Sequence, residues 1–228
     1  MHVRAQAVLF DNDGTLIDST AAIMRCWRQW STEFGLPEGV IDLGRTFGRT
    51  ATAIASEVLP PALLADAVGH YEDLEEADPV CEVLPGAARL LHALPHDRWA
   101  IVTSAAFTVA LARLTHAALP IGTLVTADDT LRGKPDPEPY LIAARRLGVR
   151  PEDCVVFEDA PAGLRAARAA GMTAVGLTTT HRADQLLDAD VLVENLDAVE
   201  VLTKPAGQGV NLVLRTLRPV AAQLAGRP

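Results

Sequence analysis

Short apolar runs alternate with helical segments throughout the chain after residue 83, and this alternation limits the folds it can adopt. The apolar runs, which are typical of strands, lie at residues 99–102, 124–125, 154–157, 173–177 and 191–193. The helical segments between them lie at residues 87–94, 107–119 and 138–147, and from Pro161, which suits a first helical position, to Gly171. Chains that alternate strands and helices form parallel sheets with helices on both faces. We therefore predict a doubly wound α/β fold.

The N-terminal third of the chain has a different pattern. One apolar run of strand type, at residues 6–10, precedes a long segment with helical spacing and no convincing strand. We therefore expect residues 1–18 and 84–228 to form one α/β core, and residues 19–83 to form an all-helical domain inserted into it. We interpret the aromatic stripe of that domain as packing rather than as a cofactor site. The stripe consists of Ile23, Trp27, Trp30 and Phe34.

Two more apolar runs lie near the C-terminus. We expect residues 199–202 and 210–214 to form a small hairpin across Gly207-Gln208-Gly209. The tail from Arg218 shows no strong periodicity.

The composition limits the classes of partner. The 228-residue chain has a net charge of −9 and no run of Lys or Arg, so we expect neither a nucleic-acid nor a membrane partner. No apolar run approaches the ~18 residues of a membrane span, and Asp11 interrupts the first run, which argues against a signal peptide. Cys26, Cys81 and Cys154 are scattered and odd in number, which favours free thiols in a reducing compartment. We therefore expect a cytoplasmic protein that is a monomer or a homodimer.

The first apolar run ends in two aspartates one residue apart, Asp11 and Asp13, followed by Gly14. If the strand continued, its period of two would point both carboxylates the same way, where they would repel and raise one another's pKa. A bound hard divalent cation such as Mg²⁺ would offset that repulsion, because it prefers oxygen ligands. The alternative interpretation is an Asp-Gly hairpin turn.

Polar residues also follow two later strands, and a lysine lies in a loop between them. Thr103 and Ser104 follow the strand at 99–102, and Glu158 and Asp159 follow the strand at 154–157. In a doubly wound sheet, ligands bind at the carboxyl ends of the strands, so these groups could converge there. Each also has a plain interpretation: the strand-end residues as helix caps, and Lys134 as a solvated loop lysine.

Four segments together resemble the haloacid dehalogenase superfamily of phosphohydrolases. They are Phe10-Asp11-Asn12-Asp13-Gly14-Thr15-Leu16, Ile101-Val102-Thr103-Ser104, Gly133-Lys134-Pro135-Asp136-Pro137 and Val156-Phe157-Glu158-Asp159-Ala160-Pro161-Ala162-Gly163. The resemblance covers most of residues 7–200 and implies a Rossmann-like parallel-sheet core, with the helical insertion as the family's cap of the first type. Within the family, the chain is most similar to bacterial sugar phosphatases and to fungal glycerol-3-phosphate and deoxysugar-phosphate phosphatases.

The resemblance implies a catalytic role for two of the acids. Asp11 would attack phosphorus and become an aspartyl-phosphate, and Asp13 would act first as general acid and then as general base. It also implies that Mg²⁺ binds to Asp11, to the backbone carbonyl of Asp13 and to Asp159. Glu158 would be a further ligand or a support.

The resemblance also implies the substrate contacts. Thr103, with Ser104, would bind phosphoryl oxygens, and Lys134 would pair with the nucleophile and the transferred group. Backbone N–H groups near Asn12 would face the phosphate as well, although Asn12 and Ala105 depart from the residues usual in the family. In the insertion, Arg49 is either a substrate contact or a surface arginine, and Arg45 and Trp27 are weaker candidates.

These expectations combine into one hypothesis, a Mg²⁺-dependent phosphatase of small sugar or polyol phosphates. One alternative is a sugar-phosphate mutase of the same family, which would carry a histidine where this chain has Ile23. Another is a non-catalytic phosphate-binding protein that retains the fold.

Overall fold

A six-stranded parallel sheet forms the centre of the computed structural model, which describes residues 1–42, 46–202 and 209–217. In spatial order the strands are Thr123–Val125 (β6), Trp99–Val102 (β5), Ala7–Phe10 (β2), Cys154–Glu158 (β7), Thr173–Leu177 (β8) and Val191–Val193 (β9). All adjacent strands in this sheet pair in parallel. The predicted α/β fold is therefore confirmed, and β2, the first strand that the sequence predicts, lies in the middle of the sheet.

Helices cover both faces of this sheet. They are Ala87–Ala93 (α4), Phe107–His116 (α5), Glu138–Leu147 (α6) and Pro161–Ala169 (α7). Side chains alternate along β2, so Val8 and Phe10 pack into one apolar cluster with Leu90, and Leu9 packs into the opposite cluster with Tyr140. Every residue of β2 is buried, as expected for a strand covered on both sides.

A second, antiparallel sheet joins the two ends of the core. Its strands His2–Ala5 (β1), Val210–Leu214 (β11) and Val199–Leu202 (β10) lie in the order β1, β11, β10. The predicted pairing of the last two strands is confirmed, whereas β1 is absent from the sequence prediction because His2 and Arg4 interrupt its apolar pattern. Gly207 and Gln208 of the predicted turn, and the tail from Arg218, lie outside the described residues.

Three helices follow the short strand Ile17–Asp18 (β3): Thr20–Glu33 (α1), Ala51–Ala55 (α2) and Leu64–Ala77 (α3). The chain then returns through Glu82–Val83 (β4), which pairs antiparallel with β3. We call residues 20–77 the helical segment. It has its own apolar cluster, in which Trp27 stacks on Tyr71 and the Trp30 indole donates a hydrogen bond to the Ala67 carbonyl. The aromatic stripe is therefore packing.

Cys26, Cys81 and Cys154 are free thiols, as predicted. In the part of the chain that the structure covers, no helix has the length and apolar character needed to cross a bilayer.

Candidate active site

The carboxyl ends of three neighbouring strands bring the candidate residues together. Because β2 lies between β5 and β7, Asp11 after β2 lies between Thr103 after β5 and Glu158 at the end of β7. Asp11, Asp13, Thr103 and Ser104 line one cavity, whose other wall belongs to the helical segment. The polar residues at the ends of these three strands are therefore neighbours in the fold, although they are distant in the sequence.

Lys134 is buried in this site and is not a solvated loop lysine. Its ammonium donates hydrogen bonds to Asp11 Oδ1 at 2.5 Å, to Glu158 Oε1 at 2.7 Å and to the Val102 carbonyl at 3.0 Å. Burial by itself would lower the pKa of Lys134, but the charges of Asp11 and Glu158 outweigh it and hold that pKa above its usual value. The lysine is therefore a fixed positive charge beside Asp11.

Asp11, Glu158 and Asp159 form a buried acidic cluster in which one carboxylate oxygen from each residue lies within 4.8 Å of the others. Burial, and then the charge of Glu158, raises the pKa of Asp11 well above its usual value and that of Asp159 to about 7. Three carboxylates thus face the one positive charge of Lys134, so negative charge exceeds positive charge in the cluster. Oxygen ligands with a charge deficit fit a hard divalent cation, so the cluster is suited to a metal ion.

Both carboxylate oxygens of Glu158 accept hydrogen bonds, and one of these bonds comes from Lys134. Oε1 accepts from Lys134 and, at 2.9 Å, from the Tyr140 hydroxyl, and Oε2 accepts from the backbone N–H of Ala160 at 3.0 Å. A β-carbon on Gly163 would lie 1.6 Å from Glu158 Oε1, so glycine is required there. This bonding favours the support role that the sequence left open beside direct metal binding.

Asp159 keeps its place through hydroxyl donors and a glycine. Its carboxylate accepts hydrogen bonds from Thr15 at 3.2 Å and from Thr180. A β-carbon on Gly14 would lie 2.2 Å from Asp159 Oδ2, and φ at Gly14 is +90°. The Gly14 position therefore serves both the turn after β2 and the close approach of this carboxylate.

Asp13 does not follow the strand geometry assumed in the sequence analysis, because β2 ends at Phe10. Its Oδ1 accepts from the Ser19 hydroxyl at 2.5 Å and from the Arg113 guanidinium at 2.9 Å. Within the part of the chain that the structure describes, its Oδ2 has only longer contacts, from Asn12 Nδ2 at 3.3 Å and Thr103 Oγ1 at 3.4 Å.

The expected helix-cap roles are mostly absent. Thr103 and Ser104 do not cap α5, whose first N–H is bound by Asp128. Of the strand-end residues, Glu158 alone keeps part of the helix-cap role, because it accepts a hydrogen bond from the N–H of Ala160, the residue before α7.

The remaining sequence candidates take different positions. Asn12 is fully buried and turned to Asp13, so only its backbone N–H remains as the proposed phosphate contact. Ser104 lines the cavity and donates to the Gly48 carbonyl at 3.1 Å. Arg49 also lines the cavity, with its guanidinium bound by Glu57 at 2.6 Å. Trp27 lines it too, whereas Arg45 lies outside the described residues.

Sequence reasoning did not find Arg113 and Tyr140. Arg113 is buried, at 1% exposure, and pairs with Asp13 and with Glu75 of α3. A signal was available, since Arg113 lies on the apolar face of α5, three residues after the buried Ala110. Tyr140 is buried in α6, and nothing in the surrounding sequence indicates that its hydroxyl meets Glu158.

Comparison with known proteins identifies the family of the chain. The model of the haloacid dehalogenase-like hydrolases matches residues 5–171. Hexitol phosphatase A of Escherichia coli (strain K12) is 37% identical over 213 residues, covering 90% of this chain and 98% of that protein. Validoxylamine A 7'-phosphate phosphatase of Streptomyces hygroscopicus subsp. limoneus is 41% identical over 204 residues, covering 85% and 95%.

Two further similarities extend the comparison. Glycerol-1-phosphate phosphohydrolase 2 of Saccharomyces cerevisiae (strain ATCC 204508 / S288c) is 35% identical over 219 residues, covering 88% of this chain and 86% of that protein. The crystal structure of a hydrolase from Pseudomonas syringae superposes with a TM-score of 0.76 at 28% identity, covering 83% of this chain and 93% of that one. The chain therefore belongs to the haloacid dehalogenase-like hydrolase family, as a phosphatase.

Proposed function

We propose that the chain is a Mg²⁺-dependent phosphatase of small sugar or polyol phosphates that works through an aspartyl-phosphate intermediate. The observation that carries the proposal is the buried arrangement of Asp11, Lys134 and Asp159 beneath a cavity. The relatives add support for the substrate class, since two of them are named for phosphates of polyols, a hexitol and glycerol.

In the first half-reaction, an Asp11 oxygen attacks phosphorus and the bond to the leaving oxygen breaks. Lys134, 2.5 Å from Asp11 Oδ1, would keep the carboxylate oriented and offset charge on the transferred group. The protonated carboxyl of Asp13 would donate its proton to the departing alkoxide, giving a free alcohol and an aspartyl-phosphate on Asp11.

In the second half-reaction, water attacks the phosphorus of the aspartyl-phosphate. Asp13, now a carboxylate, would take a proton from that water. The phosphorus–oxygen bond to Asp11 breaks, inorganic phosphate leaves, and both aspartates return to their starting states. The Thr103 hydroxyl and the backbone N–H groups near Asn12 would bind phosphoryl oxygens in both steps.

The residues suited to hold Mg²⁺ are Asp11, Asp159 and the backbone carbonyl of Asp13. When bound, the ion would reduce repulsion between the Asp11 carboxylate and the phosphate dianion. The shortage of positive charge in the acidic cluster supports this assignment.

We also propose that residues 19–83 act as the cap and choose the leaving group. The cavity lies between core and helical segment, and Ser104 bonds to the Gly48 carbonyl across that boundary. Arg49 would contact the substrate once it releases Glu57.

The wall of the cavity favours hydrolysis over a mutase reaction. Ile23 lines it from α1 at the position where family mutases would carry a histidine. An aliphatic side chain cannot assist the return of the phosphoryl group to another hydroxyl.

The test is phosphate release from a panel of phosphomonoesters, including glycerol-1-phosphate and hexitol phosphates, with Mg²⁺ present. We expect release from several members. The Asp11→Asn variant should fold normally and lose about a thousandfold or more of this activity, because it removes the attacking group. No release from any member would refute the proposed function, and activity retained by Asp11→Asn would refute the nucleophile.

A further inference from the structure

Arg113 joins the core to the helical segment through two buried ion pairs. Its guanidinium donates to Asp13 Oδ1 at 2.9 Å and to Glu75 Oε1 on α3 at 2.7 Å. The same Glu75 oxygen accepts from the Tyr71 hydroxyl at 2.8 Å. Side-chain exposure is 1% for Arg113 and 7% for Glu75, so water does not bridge them freely.

A buried arginine on the apolar face of a helix requires a reason. Its neighbours on α5, Val109, Ala110 and Leu114, are fully buried, and a leucine would pack there without the cost of removing a charge from water. The charge is retained with two carboxylates that come from different parts of the molecule. One of these, Asp13, is the proposed acid and base of the reaction.

The bonds to Asp13 distinguish its two oxygens. Oδ1 is held by Ser19 and Arg113, at 2.5 Å and 2.9 Å, and Arg113 is the charged donor among these contacts. Among the described residues, Oδ2 has only the longer contacts at 3.3 Å and 3.4 Å. One oxygen is therefore anchored, and the other is left for proton transfer.

We propose that Arg113 is a positioning residue that anchors Oδ1 of Asp13, so that Oδ2 exchanges the proton with the leaving alkoxide. Through Glu75, the anchor depends on where α3 lies, so the acid is in place only when the helical segment is docked. This inference rests on the proposed phosphatase function.

Leaving groups of different basicity separate this role from a general structural one. A polyol alkoxide is strongly basic and must be protonated as it leaves, whereas p-nitrophenolate leaves without a proton. Loss of the Asp13 anchor should therefore slow release of the alcohol much more than release of nitrophenolate.

The experiment measures single-turnover release of the leaving group, with enzyme in excess and Mg²⁺ present. The substrates are glycerol-1-phosphate, or the best polyol phosphate of the panel, and p-nitrophenyl phosphate. For Arg113→Met we expect alcohol release to fall about a hundredfold and nitrophenolate release to fall less than about threefold, since general acids contribute roughly 10²–10⁴. Arg113→Lys, which keeps the charge, should recover part of the loss.

Glu75→Gln should show the same selectivity with a smaller loss, because Arg113 then keeps Asp13 while its link to α3 becomes an uncharged hydrogen bond. The matched control is Arg150→Met, an exposed arginine of the core, which should leave both rates unchanged. Thermal unfolding of each variant identifies any that fail to fold. If Arg113→Met does not fold, Arg113→Lys and Glu75→Gln decide whether the loss is selective for alcohol release.

Equal losses on both substrates, or no loss of alcohol release in Arg113→Met, would overturn the inference. In either case the unsubstituted enzyme is active, so the proposed function stands. Absence of activity in the unsubstituted enzyme would instead refute the proposed function.

Discussion

At the scale of single residues, the site depends on close packing as much as on charge. Glycines stand where carboxylates must approach the backbone, at Gly14 beside Asp159 and at Gly163 beside Glu158. No L side chain fits at either place without displacing the acid. The two glycines therefore help to determine the geometry of the acidic cluster although they carry no functional group.

Gly163→Ala tests this packing. Its new methyl group would meet Glu158 Oε1, move the partner of Lys134, and lower the free energy of unfolding by about 2 kcal/mol or more. Phosphate release should fall at the same time. Chemical denaturation and the phosphatase assay measure the two effects.

The control is Gly69→Ala in α3, where a β-carbon meets nothing within 4 Å. There the change should stabilise the protein by up to about 1 kcal/mol, because alanine favours a helix. A Gly163→Ala variant that behaves like this control would show that Glu158 moves aside easily.

At the scale of elements, the helical segment has a core of its own. Trp27, Trp30 and Tyr71 form one aromatic group between α1 and α3, and it lies apart from the two apolar clusters of the sheet. The segment leaves and rejoins the core through the paired strands β3 and β4. This arrangement allows the segment to lose its packing while the sheet stays folded.

Trp30→Ala should therefore destabilise the helical segment by about 3–5 kcal/mol, since it removes a fully buried indole and its bond to Ala67. The core should keep its own transition, and the tryptophan fluorescence of this variant follows both parts, from Trp27 in the helical segment and Trp99 in β5. Thermal unfolding followed by tryptophan fluorescence and by circular dichroism measures the transitions of the core and of the helical segment. A single transition lowered equally for both probes would show that the two parts unfold together.

At the scale of the whole molecule, folding concentrates acids that are distant in the sequence. Asp11 and Asp159 directly follow two different strands, and the sheet places both in a buried position beside Glu158. Their pKa values are raised in the folded protein because burial and neighbouring charge disfavour the ionised forms. Folding, proton binding and metal binding are therefore linked.

This linkage predicts the pH dependence of the metal-free protein. A carboxyl with a raised folded pKa binds protons better in the folded state, so its contribution favours folding at low pH and is lost as pH rises. For Asp159 the loss should run from about pH 4, the ordinary value, to about 7. Thermal unfolding with EDTA should show Tm falling across this range.

Added Mg²⁺ should raise Tm more at pH 8 than at pH 5, because protons compete for the same oxygens at the lower pH. Na⁺ at equal ionic strength provides the control for charge screening. A Mg²⁺ effect that is equal at both pH values would contradict a site built on these carboxylates.

Much of the architecture follows from local pattern. The bounds of β5, α6, β8 and β9 agree with those predicted from the sequence, because continuous apolar runs and helical periods are local properties. The motif residues Asp11, Thr103, Lys134 and Asp159 were also identified from their places after strands or in an adjacent loop. The edge strand β1 was not predicted, since its polar residues interrupt the apolar run that indicates a strand.

The amino-acid sequence alone therefore determined the alternating core, the inserted helices and the list of reactive groups. Only the tertiary structure decided that Ser19 bonds to Asp13, that Glu158 supports Lys134, and that Arg113 pairs with both Asp13 and Glu75. The physical reason is that a side chain's partner depends on the burial and charge of groups distant in the chain. Those quantities exist only after the sheet and the helical segment have packed together.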